Sequence, residues 1–412
     1  MQVRIQIRTL AVSAVLIAIS SLEARASAPA QQLYEQKCGR CHVAYEPTEY
    51  SHEEWPGVVR AMRAQAALNQ REFDEIVEFL VSAAGAEDRE SIGKSGPVVG
   101  GYLYTEYFWT QEGADNFDIH YLALSASGWV NSKIQYFGEF ELEHGGTGGS
   151  NTFVEQAYLA YWFRPNVAIR IGAMLTPFNR FDEFHGPLSN YTITRPQVSR
   201  EIGVSAWKEV GVDLTGYLNM NEQVSLSFDM YTLNGLGAGS RLRSSRQYRD
   251  NNEDLALGGR LNLMYRDVVE IGGSAYRGAW DSDGDYDLTL VGAHLMARTP
   301  VAEFYGEYAR AESENPPPLA GGEMSGFFVQ ASRLFDSKLR PTIRYGRLDY
   351  LDPGDSLGRK PRDVDLSELA LCVSYYPARA VALKAEYTMF LEGSRNVEKD
   401  NNQIGLQAAV RF

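Results

Sequence analysis

The sequence predicts a small all-α domain followed by a 16-stranded antiparallel transmembrane β-barrel. Three observations carry that expectation. Apolar residues recur at helical spacing up to residue 84 and at every second position from Val98 onward. The connections between the two-period segments are alternately tight and long, the rim asymmetry of outer-membrane barrels. The helical part carries Cys38-Gly39-Arg40-Cys41-His42, close behind an export signal.

Residues 1–28 read as that signal. Arg4 and Arg8 form a basic start, and Leu10 to Ile19 is an apolar run too short to span a bilayer. Ala24-Arg25-Ala26 and Ala26-Ser27-Ala28 are both small-x-small cleavage sites. No later run approaches the ~18 to 20 apolar residues of a membrane helix, so export without a helical anchor is expected.

Residues 29–84 are expected to form the α domain. Gln31 to Lys37 leads into the motif. Trp55, Val58, Val59, Met62 and Ala66 share one face of a helix over Glu53 to Ala67. Asn69 can cap a last helix in which Phe73, Ile76, Val77 and Leu80 share a face. Domains below ~70 residues normally need a staple, and a covalent haem would supply one. Residues 85–97 (GAEDRESIGKSGP), polar and rich in breakers, read as a linker.

The barrel is expected over residues 98–412. Ile404, Leu406, Ala408, Val410 and Phe412 alternate with Gln403, Gly405, Gln407, Ala409 and Arg411, and Val381 to Met389 repeats the pattern. Lipid-out, water-in strands read this way. Sixteen are read, starting near residues 98, 117, 132, 152, 167, 208, 223, 254, 268, 286, 301, 322, 338, 366, 380 and 402. An even count puts both barrel ends on the short-turn, periplasmic rim. A soluble β-sandwich explains neither the alternating connections nor the signal.

Composition agrees. The chain holds 24 Tyr, 18 Phe, 6 Trp and 38 Gly, which suits many amphipathic strands ending in aromatic girdles. A net charge of −14 argues against nucleic acid, which selects basic surfaces. The motif uses two of the three cysteines. The third, Cys372, shares a strand face with Glu368 and Ser374 and is expected to be a small lumen residue.

Two cysteines two residues apart, followed at once by histidine, can take two thioether bonds to a haem and leave an imidazole for the iron. Cys38 and Cys41 are therefore expected to hold one covalently bound haem c, with His42 as proximal ligand. The rivals are a disulfide or half a zinc site, and the latter lacks a second ligand pair. Met62 is the candidate distal ligand, His52 its rival, and an open or water-filled position the third alternative. The choice sets the potential, since Met/His ligation raises it relative to bis-His.

The run Val154 to Pro187 (VEQAYLAYWFRPNVAIRIGAMLTPFNRFDEFHGP), continuing to Gly211, resembles the fourth to sixth strands of phosphate- and polyanion-selective porins. Residues 34–80 resemble small class I cytochromes, which place a thioether ligand where Met62 stands. The whole arrangement resembles the fused monohaem c-type cytochrome–porins, whose best-known members are outer-membrane iron oxidases. The resemblance implies electron transfer between an extracellular donor such as Fe(II) and a periplasmic carrier.

The third long connection, Phe178 to Trp207, stands where sixteen-strand porins fold a loop inward. Its Arg180, Asp182, Glu183, His185, Arg195 and Arg200 are candidates for a pore constriction, with Asp182, Glu183 and His185 also readable as a metal site and a solvated loop as the bland alternative. Lumen-facing Arg170, Arg260, Glu303, Glu307, Arg344, Lys384 and Glu386 have mixed signs. Asp281, Asp283, Asp285 and Asp287 suggest a calcium loop, but Gly292 occupies its twelfth position, where a bidentate carboxylate is needed. The expected partners are outer-membrane lipid, a periplasmic electron carrier, and an extracellular donor, acceptor or small solute, with oligomerisation open. The other reading is a solute channel, anion-type, whose haem domain docks a redox partner or gates the pore. The haem domain is expected at the periplasmic side of the outer membrane or inside the barrel.

Overall fold

A computed structural model describes residues 30–38, 44, 45, 47, 50, 55–62, 66, 68 and 70–84, and residues 97–412 apart from 132, 147–151, 165, 185, 222, 240, 267 and 353–361. The signal, nearly all of the linker, and Cys41, His42, His52 and His185 lie outside the described residues.

Among the described residues sixteen strands form one closed barrel, each antiparallel to its neighbour in sequence. The barrel closes where β1 (Val98–Thr110) pairs with β16 (Gln403–Arg411), in a register running from Tyr102 opposite Arg411 to Thr110 opposite Gln403. Closure leaves no open strand edge, which hydrocarbon would not tolerate. Alternation sets the two faces. In β14 (Arg362–Ala378), Leu371, Val373 and Tyr375 are exposed to lipid while Ala370, Cys372 and Ser374 are buried toward the lumen, as expected for Cys372.

Strand starts agree with expectation to within two residues except at β14, which begins at Arg362 rather than near 366. Arg362 to Asp365 reads as a charged loop, yet it pairs with the end of β13 (Leu339–Asp352) up to Asp352 opposite Arg362. Strand pairing outside the hydrocarbon needs no apolar face, so periodicity does not register it.

Ahead of the barrel lie α1 (Ala30–Cys38), α2 (Trp55–Met62) and α3 (Gln70–Ala83). They bury Tyr34, Trp55, Val59, Leu68, Ile76 and Leu80 in a core of their own. The Trp55 indole donates to the Pro47 carbonyl at 2.7 Å, and the Tyr34 hydroxyl to the Tyr45 carbonyl at 2.7 Å. Tyr45, Tyr50 and Trp55 meet edge to face at centroid distances of 5.0 to 6.3 Å, the geometry aromatic quadrupoles favour. Lys37 and Glu72, 2.9 Å apart, fasten α1 to α3.

Residues 176–207, between β5 (Val167–Leu175) and β6 (Lys208–Asn219), fold into the barrel. Their short helix α4 (Gln197–Glu201) packs against β11 (Glu303–Ser313), β12 (Gly322–Ser332) and β13. Phe178, Phe181, Val198, Ile202 and Trp207 of this loop join strand residues in an apolar cluster inside the barrel. The lumen is thus partly filled by the loop and its apolar cluster, whereas alternation alone implies a wall facing water.

Candidate functional site

The inward loop is held by the charges of the wall. Glu307 on β11 accepts the backbone N–H groups of Arg180 at 2.8 Å and Phe181 at 2.7 Å. Glu386, on β15 (Val381–Glu392), accepts those of Ile193 at 2.7 Å and Thr194 at 3.0 Å. Glu368 on β14 accepts that of Gln197 at 2.9 Å. Cations do the reverse: Arg344 donates to the Thr194 carbonyl at 2.6 Å, and Lys384 to that of Asn190 at 2.6 Å. Within the loop, the Asp182 carboxylate accepts the N–H groups of Ala206 at 2.9 Å and Trp207 at 3.2 Å. A loop placed in a barrel has few backbone partners, and buried N–H and C=O groups must find side chains instead. Val204 and Ala206 sit at φ 55 and 58, a conformation that persists in non-glycine residues only when the surroundings hold it.

Below the loop, on the short-turn side, lies a cavity of about 980 Å³. Its floor is the helical domain: Cys38 at the end of α1, Tyr45, Tyr50, and Val58, Met62 and Ala66 from α2 and beyond. Its roof includes Asn179, Arg180, Asp182 and Glu183 of the inward loop, with Arg170, Asp229, Arg260 and Glu270 on the wall. Contacts seat the helical domain on this rim. The Tyr217 hydroxyl at the end of β6 donates to the Leu68 carbonyl. Arg379, in the turn between β14 and β15, donates to the Ala44 carbonyl at 3.3 Å, and the Arg411 guanidinium lies 3.9 Å over the Tyr45 ring. Val98 of β1 packs against the helical core.

The family model of Gram-negative porins matches residues 79–394. The chain belongs to that porin family. Residues 34–113 match the model for dihaem cytochrome c. A protein of Aquifex aeolicus (strain VF5), described as uncharacterized, is 25% identical over 335 residues, covering 71% of this chain and 76% of that one. Among solved structures, the anion-selective porin of Comamonas acidovorans superposes with a TM-score of 0.58 at 11% identity, over 77% of this chain and 99% of that one. The trimer form of OmpT of Vibrio cholerae gives 0.55 at 14% identity, over 77% and 99%. These likenesses concern the barrel fold. This porin is an outer-membrane protein with a cytochrome c domain ahead of its barrel.

The cavity tests whether the residues of this porin fit a haem. Cys38 and Met62 border the same space, lined on the α2 side by Val58 and Ala66, and supply a thiol able to form a thioether and a thioether able to ligate iron. They fit. Cys41, His42 and the rival ligand His52 fall outside the described residues.

Of the loop residues, Arg180 is buried and paired with Glu270 at 2.7 Å and with Glu183. Glu183 also meets Arg260, which holds Asp229 at 2.8 Å. Asp182 accepts from the loop's own backbone and Glu183 is engaged by two arginines; His185 lies outside the described residues. Arg195 donates to the Ser205 hydroxyl at 3.1 Å, and the Arg200 guanidinium lies 3.9 Å from the Glu201 carboxylate; neither lines the cavity. Arg180, Asp182 and Glu183 therefore gather at the cavity roof, and Arg195 and Arg200 do not. The Asp281 carboxylate caps the N–H groups of Asp283, Asp285 and Tyr286, which accounts for that acidic loop without an ion. Sequence reading missed that Glu307, Glu368, Arg344, Lys384 and Glu386 serve as loop anchors. Their inward register was the available signal, but their partners lie 126 or more residues away.

Proposed function

We propose that this porin transfers electrons at the outer membrane through one haem c held by Cys38, Cys41 and His42, with Met62 as distal ligand. The chain has a single CxxCH and only one further cysteine, Cys372, buried in β14. That supports one haem per chain despite the dihaem description of the matching model. A haem supplies a one-electron Fe(III)/Fe(II) couple when bound, with a raised potential if a thioether is the sixth ligand.

The observation that carries the reading is the shared cavity. Cys38 and Met62 open toward the barrel interior, so the lumen and the attachment site are one space. The ~30 Å hydrocarbon core is too thick for a single centre at the rim to serve both faces. A small extracellular donor such as Fe(II) entering the pore resolves this. The helical domain then offers its outer side to a periplasmic carrier. Arg180, Asp182 and Glu183 form the constriction above the vestibule.

Anaerobic Fe(II) added to the purified full-length porin tests the reading: the haem spectrum is expected to become that of the reduced form. A haem left oxidised, together with large, solute-selective conductance in planar bilayers, would favour the channel reading instead.

A further inference from the structure

Outside the vestibule and the inward loop, one cluster carries chemistry that nothing above uses. Asp118 and His120 stand two residues apart on β2 (Asn116–Trp129), on the face opposite lipid-exposed Phe117 and Ile119. His144 follows β3 (Ile134–Glu143) at the start of the next long, extracellular connection. Asp118 Oδ2 lies 3.0 Å from His120 Nδ1 and 2.7 Å from His144 Nδ1. Glu106 of β1, opposite Asp118 in register, brings Oε2 to 3.4 Å from His120 Nδ1. The Asp118, His120 and His144 side chains are 18%, 30% and 47% exposed, so the cluster is open to the extracellular mouth.

We propose that Asp118, His120 and His144, with Glu106 beside them, bind a first-row divalent transition-metal ion. Two imidazoles and a carboxylate that leave open positions are the donor set of ferrous and similar ions, while calcium and magnesium take oxygen ligands. Adjacent ligands on an octahedral ion with ~2.1 Å bonds lie ~3.0 Å apart, close to the two distances already present. Three ligand atoms, one from each residue, fall within 4.8 Å of one another, and among the described residues no other such group of His, Cys, Asp and Glu occurs. One carboxylate oxygen facing two Nδ1 atoms needs protons between them, and an ion would take their place. Asp118 and Glu106 would balance its charge.

The site also has a direction. The His120 ring is 5.3 Å from that of Tyr104, which is 6.3 Å from that of Tyr102, and Tyr102 borders the vestibule that Cys38 lines. This assignment rests on the electron-transfer reading for the purpose of the ion, which is then the extracellular donor, but not for its binding.

Redox-inert Zn(II) separates the two. Titrated calorimetrically into the full-length porin, it is expected to bind a site that the variant carrying H120A and H144A loses. Removing an outer-shell partner alone costs about 10–100-fold in affinity, so loss of two ligands should weaken this site by at least about 100-fold. D118N should weaken it by about tenfold or more. Heat-modifiable migration on gels controls for barrel folding. Equal Zn(II) binding by wild type and the double variant would overturn the site. Intact Zn(II) binding with a haem that Fe(II) does not reduce would leave the site standing and overturn the electron-transfer reading.

Discussion

Replacing Glu307 by alanine should release the loop from the barrel wall. The carboxylate is 4% exposed and accepts the N–H groups of Arg180 and Phe181 at 2.8 and 2.7 Å, with Ser199 Oγ donating to its other oxygen at 3.2 Å. Hydrogen bonds to charged groups contribute about 1.5–3 kcal/mol each, so the two backbone bonds alone amount to ~3–6 kcal/mol. Water entering the cavity left by the side chain recovers part of this. With each ~1.4 kcal/mol worth tenfold in an equilibrium, the lower figure moves the ratio of docked to released loop by about 100-fold. Glu368, Glu386, Arg344 and Lys384 still hold the segment from residue 190 to 197, so the Arg180 end should come away first. In planar bilayers E307A should raise mean single-channel conductance and current noise, with E307Q intermediate because its amide oxygen still accepts. A correctly folded E307A barrel with unchanged conductance and noise would refute the idea that this carboxylate holds the constriction.

Three further outcomes are expected. M62A should remove the weak far-red sulfur-to-iron absorption of the oxidised protein and lower the haem potential; a wild type without that band would sink the Met62 assignment. C38S should leave one thioether and shift the pyridine haemochrome band, and the variant carrying C38S and C41S should retain no haem on a denaturing gel. R411A removes a guanidinium from the Tyr45 face. Such contacts contribute about 0.5–2 kcal/mol, so the helical domain should undock about 2- to 30-fold more often, read as faster hydrogen exchange in α2 and at the β1–β16 seam, with the strands remote from the seam unaffected.

The barrel was legible because alternation is local. Ile404, Leu406 and Ala408 on one side, against Gly405 and Gln407 on the other, state their orientation within five residues. The core of the helical domain was legible for the same reason, through Trp55, Val58 and Val59 at helical spacing. The inward loop was readable as to place but not as to mechanism. Its anchors come from strands more than 100 residues downstream, and nothing near Thr194 announces Glu386. The cluster of Asp118, His120 and His144 was hidden similarly: Asp118 and His120 look like an ordinary charged strand end until β3 returns His144 beside them. Local pattern yields elements and faces, whereas the pairing of charges across the lumen depends on closure of the whole sheet.

The helical domain meets the barrel on both sides of the line where β1 joins β16. Its core packs on Val98, at the first residue of β1, and Tyr45 lies under Arg411, at the last residue of β16. A domain that grips both flanks of a seam acts as a latch, since any opening of the β1–β16 pairing must also tear one of those contacts. Anything that firms the domain, a covalently attached macrocycle above all, therefore favours a closed cylinder, and a closed cylinder in turn presents the domain with its complete docking surface. The cytochrome domain thus serves as the clasp of its own pore.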